Sequence, residues 1–96
     1  MNRKNNDFQS YLKENLKNPS FKKYFDEFGK QLEIAYQISE LRKRRKMSQS
    51  DLARILGTTQ SNIARMEAGQ QNFTTITLQK IAEAFNCDLK IDFVRV

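Results

Sequence analysis

Residues equipped for proton transfer or nucleophilic attack are scarce in this chain of 96 residues. It has no histidine, the commonest general acid–base, and its one thiol, Cys87, has no imidazole to activate it. A lone cysteine builds neither an internal disulfide nor a metal cluster, and Gly29, Gly57 and Gly69 are too scattered for a phosphate-cradling loop. Catalysis is therefore not expected, and no cofactor or metal is implied. What the chain does carry is recognition chemistry. Gln49, Thr59, Gln60, Ser61, Asn62 and Arg65 lie close together in sequence, just after the cationic run RKRRK at Arg42–Lys46. Amide and guanidinium groups form paired hydrogen bonds with the edges of bases, and cations neutralise phosphates.

The charge pattern points the same way. The net charge is +6, and the window from Leu41 to Arg65 holds seven basic residues (Arg42, Lys43, Arg44, Arg45, Lys46, Arg54 and Arg65) against Asp51 alone. That window equals the whole excess, so the remainder is neutral. Charge concentrated in this way is the footprint of a surface that meets a polyanion. The run RKRRK has a plainer use as well, since cations in the last turn of a helix complement its dipole by about 0.3–1 kcal/mol each.

These side chains need elements to hold them. Phe8, Tyr11, Leu12 and Leu16 share one face of a first helix. Asn18 and Pro19 restart the pattern as N-cap and first helical residue, and Phe21, Tyr24, Phe25 and Phe28 repeat the spacing up to a break or kink at Gly29. Leu32, Ala35, Ile38 and Leu41 stripe a longer helix from about residue 30 to 46. Two short patterns follow. Ser48 with Asp51 makes a capping-box-like start, Leu52, Ala53 and Leu56 an inner face, and Gly57 a left-handed end. Thr59 caps the second, whose inner face is Ile63 and Met66 and whose end is Gly69. Thr74 opens a further helix carrying Leu78, Ile81, Ala82 and Phe85, with Asn86 as its left-handed cap and Cys87 a small apolar residue beyond it.

Helices of eight or nine residues are marginal in water, so the two short ones must be held by their neighbours. Gln49, Ala53, Gly57 and Ile63 stand at the spacings of a helix-turn-helix, and the region from about Leu32 to Phe85 resembles the phage-repressor/Cro (XRE) family. In such a unit the second helix offers its outer residues to the major groove. Gln60 suits adenine, Arg65 suits guanine, Ser61 specifies weakly, and Asn62 serves a base or a phosphate. The resemblance implies that Gln49 holds a phosphate and braces Gln60. Arg42, Lys43, Arg45 and Lys46 are the candidates for positioning on the DNA backbone. Two positions depart from the family pattern, which often has glycine at Lys46 and proline at Phe73.

The ends are expected to do other work. Phe8, Tyr11, Leu12, Phe21, Tyr24, Phe25 and Phe28 form an aromatic-rich extension over residues 1–30. It either covers the back of the domain of residues 31–96 or docks a partner protein; a membrane-surface anchor is a third reading, disfavoured because the face lacks a basic border. At the other end Leu89, Ile91 and Phe93 alternate with Lys90 and Asp92, as in a half-buried strand over residues 89–95. A single strand needs an edge, so pairing with a second copy is expected to give a homodimer. The fold class expected is all-α, a repressor-like helix-turn-helix with an N-terminal helical extension and a short C-terminal dimerising strand.

The order KNPSFKKYFDEF, ELRKRRKMSQSDLA, GTTQSNIARMEAG and IDFV, spanning about Tyr11 to Val94, is similar to the HigA-type antitoxins. That resemblance implies a dimeric antitoxin that binds double-stranded operator DNA, represses its own operon and neutralises a HigB/RelE-like, mRNA-cleaving toxin. Two rivals stand beside it: a standalone regulator such as a prophage repressor or restriction–modification controller, and an interaction module that no longer binds DNA. The N-terminus MNRKNNDFQS has no apolar leader core, and no run approaches the ~18 apolar residues of a membrane span, so a cytoplasmic protein is expected.

Overall fold

The structure, a computed structural model, describes the backbone from Arg3 to Val96 and the side chains from Phe8 onward. Its elements are α1 (Arg3–Asn15), α2 (Pro19–Arg44), α3 (Gln49–Leu56), α4 (Gln60–Glu67) and α5 (Thr75–Ala84). Each start from α2 onward is locally encoded. Asn18 Oδ1 accepts from the amides of Ser20 and Phe21 with Pro19 at the first position of α2. Ser48 and Asp51 form a reciprocal capping box on α3, and Thr59 and Thr74 accept from Asn62 and Thr77 to open α4 and α5.

Four of the helices also end alike, with a left-handed residue whose turn returns two amides to carbonyls of the last turn. That residue is Lys46 (φ 56°) after α2, Gly57 (φ 70°) after α3, Gly69 (φ 72°) after α4 and Asn86 (φ 54°) after α5. At Lys46 the pair is Lys46 N–H to Lys43 C=O at 3.0 Å and Met47 N–H to Arg42 C=O at 3.1 Å. A side chain is disfavoured in this conformation, so the lysine is held there by these two backbone hydrogen bonds at a cost that glycine would not incur.

The core is built from the stripes that face one another. Ile38 of α2, Leu52 and Ala53 of α3, Ile63 and Met66 of α4, and Ile81 of α5 with Phe85 just beyond it form one buried cluster. Leu52, Ile63 and Phe85 are completely enclosed. Each such burial is worth roughly 1.5–3 kcal/mol, which is what stabilises helices of eight residues that would otherwise melt. Gly69 shows how tightly α4 is seated: a Cβ there would lie 2.7 Å from Leu32 Cδ2.

α2 turns within itself. Phe28 leaves the helical region (φ −123°, ψ 27°), immediately before Gly29, where a Cβ would sit 3.3 Å from the Phe25 ring. The kink therefore falls at the sequence break, and the helix continues through it. α1 packs on α2 through an aromatic layer: Phe8 and Tyr11 lie 5.1 and 5.2 Å from the Tyr36 ring, and Tyr11 meets Phe21 edge-on at 5.9 Å. The first half of α2 is also tied to the α4–α5 connection, where Tyr24 Oη donates to Gly69 C=O and Gln31 Nε2 donates to Asn72 Oδ1.

The expected C-terminal strand is not formed. Among the described residues there is no strand, and residues 87–96 run without regular structure. A lone strand has no ladder to join, so its backbone has nothing to pair with in one chain. Leu89 is half-buried beside α2 and α5, whereas Ile91 is 57% and Phe93 fully exposed.

Candidate nucleic-acid interface

The turn between α3 and α4 begins where Gly57 reverses the chain, with Thr58 N–H returning to Ala53 C=O at 2.8 Å. Ala53 is buried and small, which lets α4 cross close to α3. α4 turns Ile63 and Met66 inward, and this leaves Gln60, Ser61 and Arg65 exposed along its outer face.

Behind that face lies a chain of polar contacts. The guanidinium of Arg42 grips the Glu67 carboxylate in two places, Nε to Oε2 at 2.7 Å and Nη2 to Oε1 at 3.0 Å, while Nη1 donates to Met47 C=O at 2.7 Å. Their side chains are only 12% and 8% exposed. The Glu67 hydrogen bond holds the Arg42 pKa above the usual arginine value, against the opposing effect of burial. Gln49 Nε2 donates to Glu67 Oε1 at 3.1 Å, and Gln60 Nε2 donates to Gln49 Oε1 at 2.6 Å. The structure thus brings Gln49 and Gln60 together at the mouth of α4.

Asn62 is differently placed from a free reading residue. Its Nδ2 donates to Thr58 Oγ1 at 3.0 Å and its Oδ1 accepts from Gln71 Nε2 at 2.6 Å and from Arg65 Nη2 at 3.4 Å. Half-buried and held from both sides, it braces the turn and the α4–α5 connection. The Thr59 hydroxyl oxygen accepts from Asn62 N–H at 3.1 Å and so caps α4.

Two of the four cations expected on the DNA backbone have other partners. Arg42 is withdrawn from that set, because its whole donor fork is directed inward. Arg45 Nη2 donates to Phe85 C=O at 2.6 Å and its guanidinium lies 5.9 Å from the Phe85 ring, so it links the ends of α2 and α5. Lys43 and Lys46 are exposed, with no ion pair among the described residues, as is Arg44, which spacing did not single out.

Of the aromatic extension, Leu12 is buried and belongs to the interior rather than to a docking surface. Phe8, Phe21, Tyr24, Phe25 and Phe28 are half-buried, and Tyr11 is exposed. Glu67, Thr58 and Gln71 are the site residues that sequence reasoning missed. Only Glu67 leaves a trace, standing two helical turns from Gln60 and so on the same side of α4.

Two short helices joined by a left-handed turn, with the second presenting polar residues over a packed core, define a helix-turn-helix DNA-binding domain. The chain belongs to the helix-turn-helix family, whose model matches residues 38–91. It is 35% identical over 63 residues to the competence pilus inhibition repressor of Acinetobacter baylyi, a match covering 66% of this chain and 57% of that protein. The chain therefore spans little more than half the length of that relative. Among solved structures it is similar to the restriction-modification controller protein C.AhdI from Aeromonas hydrophila. The identity is 27% and the TM-score 0.60, over 66% of this chain and 91% of that one. Among the described residues no helix is long and apolar enough to cross a membrane.

Proposed function

We propose that the chain is a sequence-specific repressor that binds a two-fold operator as a homodimer. The observation that carries this reading is the outer face of α4, where exposed Gln60, Ser61 and Arg65 stand over a hydrogen-bonded base instead of a mobile surface. Gln60 and Arg65 read base edges, while Lys43, Lys46 and Arg44 contact phosphates. The names of the two relatives, a repressor and a controller, support a regulatory role.

The dimer forms through residues 89–95. Their charges are self-complementary in one antiparallel register, centred on Ile91. Lys90 then faces the partner's Asp92 on one side of the ribbon, and Leu89 faces the partner's Phe93 on the other. Within one chain Lys90 Nζ already lies 3.3 Å from Asp92 Oδ2, so both charges occupy one side.

The same chain acts as the antitoxin of a type II pair, repressing its operon and neutralising an mRNA-cleaving RelE-like toxin. Support comes from the resemblance across nearly the whole sequence and from α1 and the first half of α2, which lie outside the matched region. The relatives favour a second reading, a standalone transcriptional repressor.

Selection from a randomised duplex library tests the operator reading. It should return a palindrome with half-sites roughly 34–36 Å apart or a multiple of that. Equal affinity for all duplexes sinks it. Affinity capture from the native host then separates the two roles. A stoichiometric small basic protein, toxic when expressed alone, supports the antitoxin; recovery with DNA alone supports the standalone repressor.

A further inference from the structure

We infer that Glu67 is a specificity-determining positioning residue, which sets, through Gln49, the orientation in which the Gln60 amide meets a base. The inference rests on the reading of α4 as the helix that enters the major groove. Its starting point is a chemical asymmetry: an ionised carboxylate accepts hydrogen bonds and donates none. The two contacts with the Arg42 guanidinium, at 2.7 and 3.0 Å, hold the Glu67 carboxylate in place. The group that Gln49 turns toward it, 3.1 Å away, must therefore be the NH2. The Gln49 carbonyl is left facing α4, where it takes a hydrogen from Gln60 Nε2 at 2.6 Å.

Polarity is thus passed along from a part-buried charge to the first residue of the recognition helix. Gln60 is left to present its carbonyl oxygen and one N–H outward. That pair matches adenine, which offers a donor at N6 and an acceptor at N7. Guanine offers two acceptors, N7 and O6, and would require two donors, one of which Gln60 has already committed to Gln49. Glu67 never approaches the DNA, yet it excludes guanine at the position Gln60 reads.

Substituting Glu67→Gln removes the asymmetry. A neutral amide can turn its own NH2 toward Gln49, allow Gln49 to reverse, and free both N–H groups of Gln60. Because this change also leaves the Arg42 charge uncompensated, the pair Glu67→Gln/Arg42→Met serves as a variant without a stranded ion. Gln49→Met cuts the relay and keeps the ion pair.

The experiment is selection from a randomised duplex library by the full chain and each variant. It is joined to NMR of the Gln60 side-chain amide in the free protein. The parent is expected to prefer adenine over guanine at one position of each half-site by about tenfold or more, the range of one good bidentate pair. In the variants that preference falls to about threefold or less and the Gln60 amide loses its distinct shift and order; affinity for an unrelated duplex is unchanged in Glu67→Gln/Arg42→Met, whereas Gln49→Met, which also removes a candidate phosphate contact, lowers it. A folded Glu67→Gln/Arg42→Met protein that keeps both the adenine preference and the parent's Gln60 amide signal overturns the inference. If the parent has no base preference, the reading of α4 fails, and the relay is decided by the amide alone. An unchanged Gln60 signal then overturns it, and a lost one supports it.

Discussion

Arg42→Met is the substitution whose outcome the structure constrains most closely. The parent side chain is 12% exposed and makes three hydrogen bonds, two to the Glu67 carboxylate and one to Met47 C=O. Methionine fills a similar space, so little packing is lost. What remains is a carboxylate 8% exposed without its counter-charge. Stranding one partner of a buried pair costs about 3–5 kcal/mol. The pair is part-buried and Glu67 still accepts from Gln49 Nε2, so no more than the low end is expected, about 3 kcal/mol. Against a total of about 5–14 kcal/mol for a domain of this length, that is a large share. Urea and thermal denaturation followed by circular dichroism should show it as a Tm lowered by about 12–24 °C.

Replacing both residues, Arg42→Met with Glu67→Leu, removes the stranded charge and should return stability to within about 1 kcal/mol of the parent. Neither protein should show a change in the slope of log affinity against log salt, because Arg42 faces Glu67 and not a phosphate. A loss below about 1 kcal/mol in the single variant, or a double variant no better than the single, refutes the account. A salt slope reduced by about one unit would return Arg42 to the DNA surface.

Four further outcomes follow from other parts of the molecule. Lys46→Gly should raise stability by about 1 kcal/mol in urea melts, since glycine relieves the side-chain penalty at φ 56°, while weakening binding to all duplexes alike. Asp51 is held below its usual pKa by the Ser48 backbone hydrogen bond first, then by the Ser48 and Arg54 side chains. Its contribution is present in full above the unfolded value near 3.8 and disappears as pH falls through the lowered folded value. Asp51→Asn should therefore flatten the acid limb of the stability profile, as followed by circular dichroism. Arg65→Ala should relax sequence preference at one position, whereas Lys43→Ala should lower affinity uniformly and reduce the salt slope by about one, both read by fluorescence anisotropy. Lys90→Asp should shift the dimer toward monomer in sedimentation, and adding Asp92→Lys should restore it; failure of restoration removes the register centred on Ile91.

Features that depend on residues a few positions apart are legible in the sequence itself. Asn18, Ser48 with Asp51, Thr59 and Thr74 cap helices by bonding amides two or three residues ahead, and Gly57, Gly69 and Asn86 end them by bonds of similar reach. The apolar stripes have the period of the helix, so Leu52, Ala53, Ile63, Met66, Ile81 and Phe85 are identifiable as interior residues. Local physics is written in local sequence. What tertiary structure alone decided are the contacts between distant positions. Arg42 and Arg45 stand in the same cationic run as Lys43, and nothing in spacing says that one will meet Glu67 and the other Phe85. The same holds for Asn62 with Gln71, for Tyr24 with Gly69, and for the link from Glu67 to Gln49. The segment 89–95 carries the alternation of a strand but remains unpaired, because a strand is completed by an edge that one chain does not supply. Periodicity told which side of each helix turns inward; only packing told which charged and amide groups the inward turn would bring within reach.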